Sequence, residues 1–250
     1  MEEVPLLEAR HVTKAYGGLL AANDLSVVIR AGEVLGLVGH NGAGKSTFVG
    51  CISGAIKPDA GEIFVDGIKV NIGRPSDALG LGIEVMYQNL ALAENLGAAA
   101  NIFLGREMRR WFGRNDRAMK DEALRVLKQL STTITDVTEA VRNLSGGQRQ
   151  LIAMARVLYF HAKVLIMDEP TAALGPEESR TLKGAISRLK AAGVGIMLIS
   201  HDMEEVFEMT DRVMVLHNGK EVGTCNTLET TQDELLSMII LGKAPAGRIS

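Results

Sequence analysis

The sequence predicts an α/β fold of layered sheets and helices that carries a separate helical lobe. Short apolar runs typical of buried strands occur in both halves of the 250-residue chain and alternate with amphipathic segments. From about residue 89 to residue 160, helical periodicity replaces this alternation. We therefore expect a helical block inserted between strands of an α/β core.

The amino-terminal part is predicted to be a mixed sheet. Gly17-Gly18 and Ala31-Gly32 turns separate three short apolar or alternating runs that are typical of strands. These runs are residues 6–12, 25–29 and 33–38. A further strand pair is expected within residues 61–70, where Asp66-Gly67 is a strong hairpin signal.

In the central block, one helix face is especially clear, because five apolar residues recur there at spacings of three and four. They are Met119, Ala123, Val126, Leu127 and Leu130. Beyond the block, residues 176–192 are amphipathic and predict a helix that begins at Pro176 and ends near Gly193. The other predicted elements there are strands at 164–167, 195–199 and 212–217, an Asn218-Gly219 turn, and a helix at 233–241.

Composition disfavours several classes of function. The net charge is −3, which argues against nucleic-acid binding through clustered positive charge, although a short basic run remains at residues 106–114. Cys51 and Cys225 lie far apart without a CxxC pair, so we expect two buried thiols and no zinc site or disulfide framework. Neither a signal peptide nor an apolar run of about 18 residues is visible. Any membrane role is therefore expected to depend on a partner.

A phosphate-binding loop is the first functional motif. Residues 39–46 fit the pattern G-x-x-x-x-G-K-[ST], after a predicted strand and before a helix expected near Lys45. Glycines let backbone N–H groups curl around an anion, and the helix presents the positive end of its dipole. Lys45 is then expected to reach the β and γ phosphates, while the Ser46 hydroxyl coordinates Mg²⁺. GTPases, kinases and helicases share such loops, so the loop predicts a nucleotide but no particular machine.

Two carboxylates follow the apolar strand at 164–167. Asp168 and Glu169 are expected at the carboxyl edge of a parallel sheet, where α/β folds bind ligands. In this arrangement the first carboxylate can hold a hydrated metal ion and the second can polarise an attacking water.

A second glycine-rich segment, Leu144-Ser145-Gly146-Gly147-Gln148, begins a predicted helix, and Gln148 stands 20 residues before Asp168. Ser145 is a good N-cap, but a simple cap does not require two glycines behind it, so another group is expected to approach this backbone closely. Two anion-binding helix starts in one chain suggest nucleotides clamped between two chains.

These motifs together resemble the ATP-binding cassette (ABC) family over essentially the whole chain, and LSGGQ in this position is close to diagnostic. The resemblance implies an ABC-type P-loop NTPase. It would have a mixed β core sheet, an antiparallel β subdomain and an inserted helical subdomain at about 89–160 of a single domain spanning 1–250. It also implies an ATPase that uses ATP and Mg²⁺.

The resemblance assigns roles residue by residue. Glu169 matches the catalytic base, and His201 matches the switch histidine at the γ-phosphate. Gln88 matches the glutamine that joins the metal and water site to the helical lobe, so the metal ligands would be Ser46, Gln88 and Asp168, and Lys45 would assist catalysis. Nucleotide contacts would come from Tyr16 on the adenine and from Gly39, His40, Asn41, Gly42, Ala43, Gly44, Lys45, Ser46, Thr47, Ser145, Gly146, Gly147 and Gln148.

One position departs from the general family pattern, because Gly175 stands where an aspartate is usual. The missing carboxylate affects a contact across the dimer, so we expect weaker coupling between the two sites. The same departure, together with the phrase at residues 101–107, resembles ATPases of bacterial monosaccharide importers such as those for ribose, xylose and fructose.

Many members of that group carry two cassettes in one chain, whereas this chain has one, so we expect a homodimer, or a pairing with another cassette, with composite ATP sites on the cytoplasmic face of the bacterial inner membrane. It would bind transmembrane permease subunits, serve a sugar-binding protein indirectly, and bind no nucleic acid. Apolar residues after Gln88 are candidates for the permease groove or for lobe core, namely Leu90, Leu92, Leu96, Ile102 and Phe103. A transporter for another small solute and a soluble ABC ATPase remain alternatives. A P-loop kinase is disfavoured, because it leaves the LSGGQ segment and His201 without a role.

Overall fold

The computed structural model describes residues 4–87, 90–111, 113–172 and 174–244. Its strands are β1 Leu7–Tyr16, β2 Leu19–Ile29, β3 Val34–Val38, β4 Ala60–Val65, β5 Ile68–Val70, β6 Ile83–Met86, β7 Arg109–Arg110, β8 Gly113–Arg114, β9 Val164–Asp168, β10 Gly195–Ile199, β11 Arg212–His217 and β12 Lys220–Asn226. Its helices are α1 Lys45–Ile52, α2 Pro75–Gly80, α3 Ala98–Ile102, α4 Asp116–Gln129, α5 Gly146–Tyr159, α6 Pro176–Ala191, α7 Met203–Met209 and α8 Gln232–Leu241.

The amino-terminal strands do not form the predicted mixed sheet: β1, β2, β4 and β5 make an antiparallel sheet of order β2-β1-β4-β5. β3 joins the second sheet instead, because its continuous apolar sequence is buried on both faces there. The predicted hairpin at Asp66-Gly67 is confirmed, since both residues have positive φ angles, 51° and 74°. β1 and β2 run longer than predicted, to Tyr16 and from Leu19. Their added ends are largely solvent-exposed and carry no apolar alternation, so hydrogen bonding between the strands extends them beyond the pattern in the sequence.

The second sheet has the order β12-β11-β3-β10-β9-β6, and only β12 pairs antiparallel to its neighbour. β3 and β10 are buried along their whole length, as their continuous apolar sequences predict. Successive residues face opposite layers: Leu35 and Ile166 join a core with the antiparallel sheet and α1, whereas Leu165 joins a core with α5 and α6. The fold is therefore layered α/β, as predicted.

The central block contains α3, α4 and α5, and all five residues of the predicted apolar face are buried there. Ile102 and Phe103 are also fully buried in this core. The block additionally holds the short β7–β8 hairpin, which helical periodicity did not predict. Residue 89, the expected start of the subdomain, lies outside the described residues.

Outside the central block, four further elements lack a counterpart among the predictions: α2, β6, α7 and β12. β12 forms an edge of its sheet and is mostly polar, while β6 is only four residues long, so neither produces a long apolar pattern. Cys51 is buried as expected, and burial raises the pKa of its thiol to about 11. Cys225 is only half-buried, contrary to expectation. In the part of the chain that the structure describes, no helix combines the length and apolarity that a bilayer span requires.

Candidate functional site

The phosphate loop connects β3 to α1, and its glycines are required by steric constraints. Gly39, Gly42 and Gly44 all have positive φ angles, 155°, 85° and 105°. A Cβ atom on Gly39 would lie 2.4 Å from the carbonyl oxygen of Leu216, and one on Gly44 would lie 2.2 Å from that of Ala21. Residues with side chains are therefore excluded where neighbouring strands press on the loop.

Lys45 begins α1 and folds over the loop. Its Nζ donates hydrogen bonds to the carbonyl oxygens of Gly39, at 2.7 Å, and His40, at 3.2 Å. Burial lowers the pKa of Lys45, while the negative charges of Glu169 and Asp168 act in the opposite direction. The ammonium group therefore lies within electrostatic reach of both carboxylates.

The remaining loop residues differ in exposure. Ala43 is buried, and its amide donates to the carbonyl of His40, so its side chain contributes packing. The His40 ring lies edge-on to His217, with centroids 5.0 Å apart. Asn41, Gly42 and Ser46 are exposed, and Thr47 is half-buried. Polar groups at the amino end of α1 are thus accessible to a ligand.

Tyr16 lies at the end of β1, next to the turn that leads into β2. Its side chain is exposed, and the Lys14 ammonium lies 5.6 Å from its ring centroid. The same hairpin presses the carbonyl of Ala21 against Gly44. An exposed aromatic ring therefore stands on the hairpin that borders the phosphate loop.

The two carboxylates lie at the carboxyl end of β9. The Glu169 amide donates to the carbonyl of Ile199 at 2.9 Å, and Glu169 has a φ of 48°, an uncommon conformation for a residue with a side chain. Its Oε1 lies 2.8 Å from Nδ1 of His201. Burial, and then the charge of Glu169, raises the pKa of Asp168, whereas Lys45 lowers it. Asp168, predicted as a metal ligand, therefore lies beside the predicted base Glu169 and within electrostatic reach of Lys45, while Gln88 lies outside the described residues.

Glu205 is a buried carboxylate that sequence reasoning missed. Its Oε1 accepts a hydrogen bond from Thr171 Oγ1 at 2.8 Å, and its Oε2 accepts one from Ser200 Oγ. Thr171 follows Glu169 by two residues, and Ser200 directly precedes His201. Glu205 therefore joins the two loops that carry the Glu169–His201 pair. Its position in the first turn of α7 is normally an exposed one for an acid, so the sequence carries little signal of this role.

The LSGGQ segment begins α5 with a capping box. Ser145 Oγ accepts from the amide of Gln148, and the Gln148 Oε1 atom accepts from the amide of Ser145 at 2.9 Å. A Cβ on Gly147 would lie 2.9 Å from the Cβ of Glu178 in α6, so the predicted close approach occurs within the chain itself. Gly146 is exposed.

Glu178 links this segment to the start of α6 and was also missed. Its Oε2 accepts from the amide of Gly175 at 3.2 Å, and its Oε1 makes a long contact of 3.5 Å with the amide of Gly147. A hydrogen bond with Ser145, followed by the one from Gly175, lowers the pKa of Glu178. Its partners are 31 and 3 residues away, so only the folded structure reveals the link.

An open cavity of about 490 Å³ joins several of these parts. Gly146, Gln150 and Glu169 line it, together with Leu90 and Leu92 from the segment that follows residue 89. The Gln150 Nε2 atom donates to the carbonyl of Pro170 at 2.7 Å and so ties α5 to the loop after Glu169. The catalytic edge and the LSGGQ helix therefore share one cleft.

Comparisons with known proteins agree with this arrangement. A protein-family model described as "ABC transporter" matches residues 22–172. A xylose/arabinose import ATP-binding protein from Sulfolobus acidocaldarius is 42% identical over 97% of this chain and 98% of its own length. A fructose import ATP-binding protein from Rhizobium meliloti is also 42% identical, over 98% of this chain and 97% of its own length.

Solved structures confirm the fold class. MJ1267, an ATP-binding cassette of an ABC transporter, matches with a TM-score of 0.82 and 24% identity over 95% of this chain and 98% of that one. MJ0796, a cassette described as dimeric and bound to ADP and Pi, matches with a TM-score of 0.73 and 23% identity over 88% and 98% of the two chains.

We expect Glu205→Gln to lower kcat for ATP hydrolysis about tenfold while KM for ATP changes less than about twofold. An amide cannot accept from both hydroxyls in the same way, so the Thr171 and Ser200 loops lose their common anchor, whereas the phosphate loop is untouched. Steady-state kinetics with the matched control Glu204→Gln, an exposed neighbour on α7, tests this. A loss of thermal stability with unchanged kcat would contradict a positioning role.

Proposed function

Because this chain belongs to the ABC transporter family, we propose that it is the ATP-hydrolysing subunit of an importer for a sugar, specifically a monosaccharide. The observation that carries the catalytic part is the Glu169–His201 pair beside Lys45 of the phosphate loop. The near-full-length relatives named as xylose/arabinose and fructose import ATP-binding proteins support the sugar class.

Nucleotide binding would use the phosphate loop and the β1–β2 hairpin. The amides at the start of α1 and the Lys45 ammonium are the groups that stabilise the triphosphate charge. Tyr16 offers an exposed ring against which an adenine can stack. On binding, Lys45 would exchange the carbonyl oxygens of Gly39 and His40 for phosphate oxygens.

The residues present fit Mg²⁺, because the Ser46 hydroxyl and the Asp168 carboxylate are hard oxygen ligands. The raised pKa of Asp168 also favours a metal ion at this position. Burial and the charge of Glu169 disfavour the ionised carboxylate, and a bound cation would stabilise it. Gln88 is proposed as a third ligand by family resemblance alone. A bound Mg²⁺ would neutralise charge on the β and γ phosphates.

Hydrolysis would follow from the Glu169–His201 geometry. Glu169 is the proposed general base: its carboxylate takes a proton from the water that attacks the γ-phosphorus, and the bond to the leaving ADP oxygen breaks. His201 holds Glu169 through the 2.8 Å contact and faces the γ-phosphate by family resemblance. The positive φ of Glu169 is backbone strain held by the Ile199 hydrogen bond at the reacting position.

A complete site would need a second copy of the chain. Ser145, Gly146, Gly147 and Gln148 would contact the nucleotide held by the partner's phosphate loop, which gives a two-fold dimer with two ATP molecules. The exposed amide-bearing backbone of Gly146 supports this, because it lies at the amino end of α5. A homodimer is the simplest arrangement for a chain with one phosphate loop and one LSGGQ segment.

The cleft that Glu169 shares with Leu90 and Leu92 would receive the permease. These two side chains are partly buried and line the cavity, whereas Ile102 and Phe103 belong to the lobe core. A permease element seated in the cleft would contact both the catalytic edge and the LSGGQ helix, so closure of the dimer would move it. The subunit would then act peripherally on the cytoplasmic face of the inner membrane, with a sugar-binding protein on the other side.

We expect Glu169→Gln to accumulate an ATP-bound dimer, since the amide preserves the shape of the site but accepts no proton. Size-exclusion chromatography with light scattering, with and without ATP and Mg²⁺, measures the dimer. Glu221→Gln, at an exposed position on β12 away from the proposed dimer contact, is the control and should remain monomeric after turnover. A strictly monomeric Glu169→Gln protein with ATP bound would count against the composite site.

We expect Gly175→Asp to raise the Hill coefficient of ATP hydrolysis, because it restores a carboxylate at the proposed dimer contact. The structure leaves room for it: a Cβ at Gly175 would meet no atom within 4 Å, and its φ of −73° suits any residue. Gly184→Asp is a matched charge control, at a half-buried position in the middle of α6 where an added Cβ would meet only Arg188 Nη1, at 3.6 Å. Identical Hill coefficients for wild type and Gly175→Asp would refute the coupling role.

Uptake in cells tests the transported class. In a strain lacking this chain, we expect accumulation of at least one labelled monosaccharide among ribose, xylose, arabinose and fructose to fall about tenfold or more. Wild type should restore it and Lys45→Ala should not. If uptake of all four sugars stays normal while uptake of another solute is lost, the chain serves an importer for that solute and the sugar proposal is wrong.

A further inference from the structure

The basic run at residues 106–114 has no part in the proposed ATP site, yet it forms a distinct structure. β7 and β8 make a hairpin with Arg109 opposite Arg114 and Arg110 opposite Gly113. The amide of Asn115 donates to the carbonyl of Met108 at 2.7 Å and closes its base. Met108 packs on the core of the helical block, so the hairpin projects from that block on a fixed stem.

The charges of this hairpin are poorly compensated within the chain. Arg109 and Arg114 face each other across the strands, and like charges in that position repel. Arg114 is paired with Asp116, but no salt bridge to Arg109 or Arg110 occurs among the described residues. Glu107, the one carboxylate in the run, lies within electrostatic reach of Arg109 and Arg114, but it stands against four arginines. An external anion would relieve this repulsion.

Arg106 differs from the other arginines of the run, because it has a structural role within the chain. Its guanidinium stacks over the Phe160 ring at 4.5 Å and lies 3.8 Å from the half-buried Glu84 carboxylate. It therefore belongs to the lobe core. Arg109 and Arg110 are both exposed and do not belong to the lobe core.

Trp111 lies at the end of β7 and is 94% exposed, more than the other large apolar residues that the structure describes in the helical block. It is the only tryptophan in the sequence. Trp111, Arg110, Gly113 and Arg114 border a shallow hollow of about 560 Å³. A fully exposed indole is unfavourable in water and suits an interface that is apolar on one side and polar on the other.

We propose that Arg109, Arg110 and Arg114 of the β7–β8 hairpin bind the anionic phospholipid headgroups of the membrane surface, with Trp111 inserted at the interface. Arginine attracts phosphate through paired N–H groups, and tryptophan prefers the headgroup region of bilayers. The whole chain is negative, so attraction to an anionic surface must be local, and this hairpin supplies it. The biological relevance rests on the proposed function, which brings the helical lobe to the membrane, but lipid binding itself can be measured separately.

Trp111 provides its own probe, because all tryptophan fluorescence comes from it. We expect the emission of the full chain to shift to shorter wavelength with phosphatidylcholine vesicles that contain phosphatidylglycerol. Pure phosphatidylcholine vesicles should produce little shift, and salt should weaken binding. Vesicle co-sedimentation of Arg109→Ala/Arg110→Ala should show about 25-fold weaker binding, from about fivefold per arginine.

The matched control Lys57→Ala/Lys128→Ala removes two exposed positive charges elsewhere and should bind nearly as wild type. ATP binding, measured on the same samples, reports separately on the proposed function. A chain that binds ATP but shows no shift with anionic vesicles overturns the lipid proposal. A shift produced only by detergent-solubilised permease would also overturn it and assign the hairpin to a protein contact.

Discussion

The register of three buried parallel strands is the constraint on which the site depends. Ile199 at the end of β10 pairs with Leu37 of β3 on one side and with Asp168 of β9 on the other. The phosphate loop, the two carboxylates and His201 therefore leave the sheet at the same level. A slip of one residue in β9 would turn Asp168 to the other face and break the hydrogen bond from Glu169 to Ile199. The apolar continuity of these strands, buried on both faces, is what makes such a slip costly.

This strand register also brings several charged side chains close together at the carboxyl edge of the sheet. Asp168 and Glu169 are adjacent in a half-buried position, which raises the pKa of Asp168, and Lys45 is the cation that opposes this. His201 contacts Glu169 from the exposed side. In the proposed function, this edge of the sheet would receive the phosphates of ATP together with Mg²⁺. The phosphates would face the Lys45 ammonium and the metal ion would face the Asp168 and Glu169 carboxylates. Glu205 adds to the arrangement from the interior, where two hydroxyl donors satisfy a carboxylate that is only 4% exposed.

How much of this could be predicted from sequence depended on the range of the interactions. The phosphate loop and the Asp66-Gly67 turn are local features, so their glycines identify them directly. Likewise, the apolar face containing Met119 follows from the helical period alone. Glu205 and Glu178 could not be found in this way, because their partners come from other elements and an acid early in a helix is ordinarily explained by the helix dipole. β12 escaped prediction for a related reason: pairing with β11 stabilises a strand whose own sequence is mostly polar.

Gly147 is the clearest example of a residue whose contacts the sequence alone does not reveal. Its place in the LSGGQ segment suggests space reserved for a ligand, yet the nearest atoms to its missing side chain belong to Glu178. The amino end of α5 thus already holds a negative charge, drawn there by Ser145 and by the helix dipole. A partner's triphosphate arriving at Ser145 would meet this carboxylate, so closure of the proposed dimer requires Ser145 to turn from Glu178 towards the phosphate. Because Glu178 also holds the amide of Gly175, that change would reach the start of α6. The two helix starts proposed to face the partner are therefore connected by the Glu178 side chain, and in the proposed dimer a nucleotide arriving at one would alter the contacts of the other.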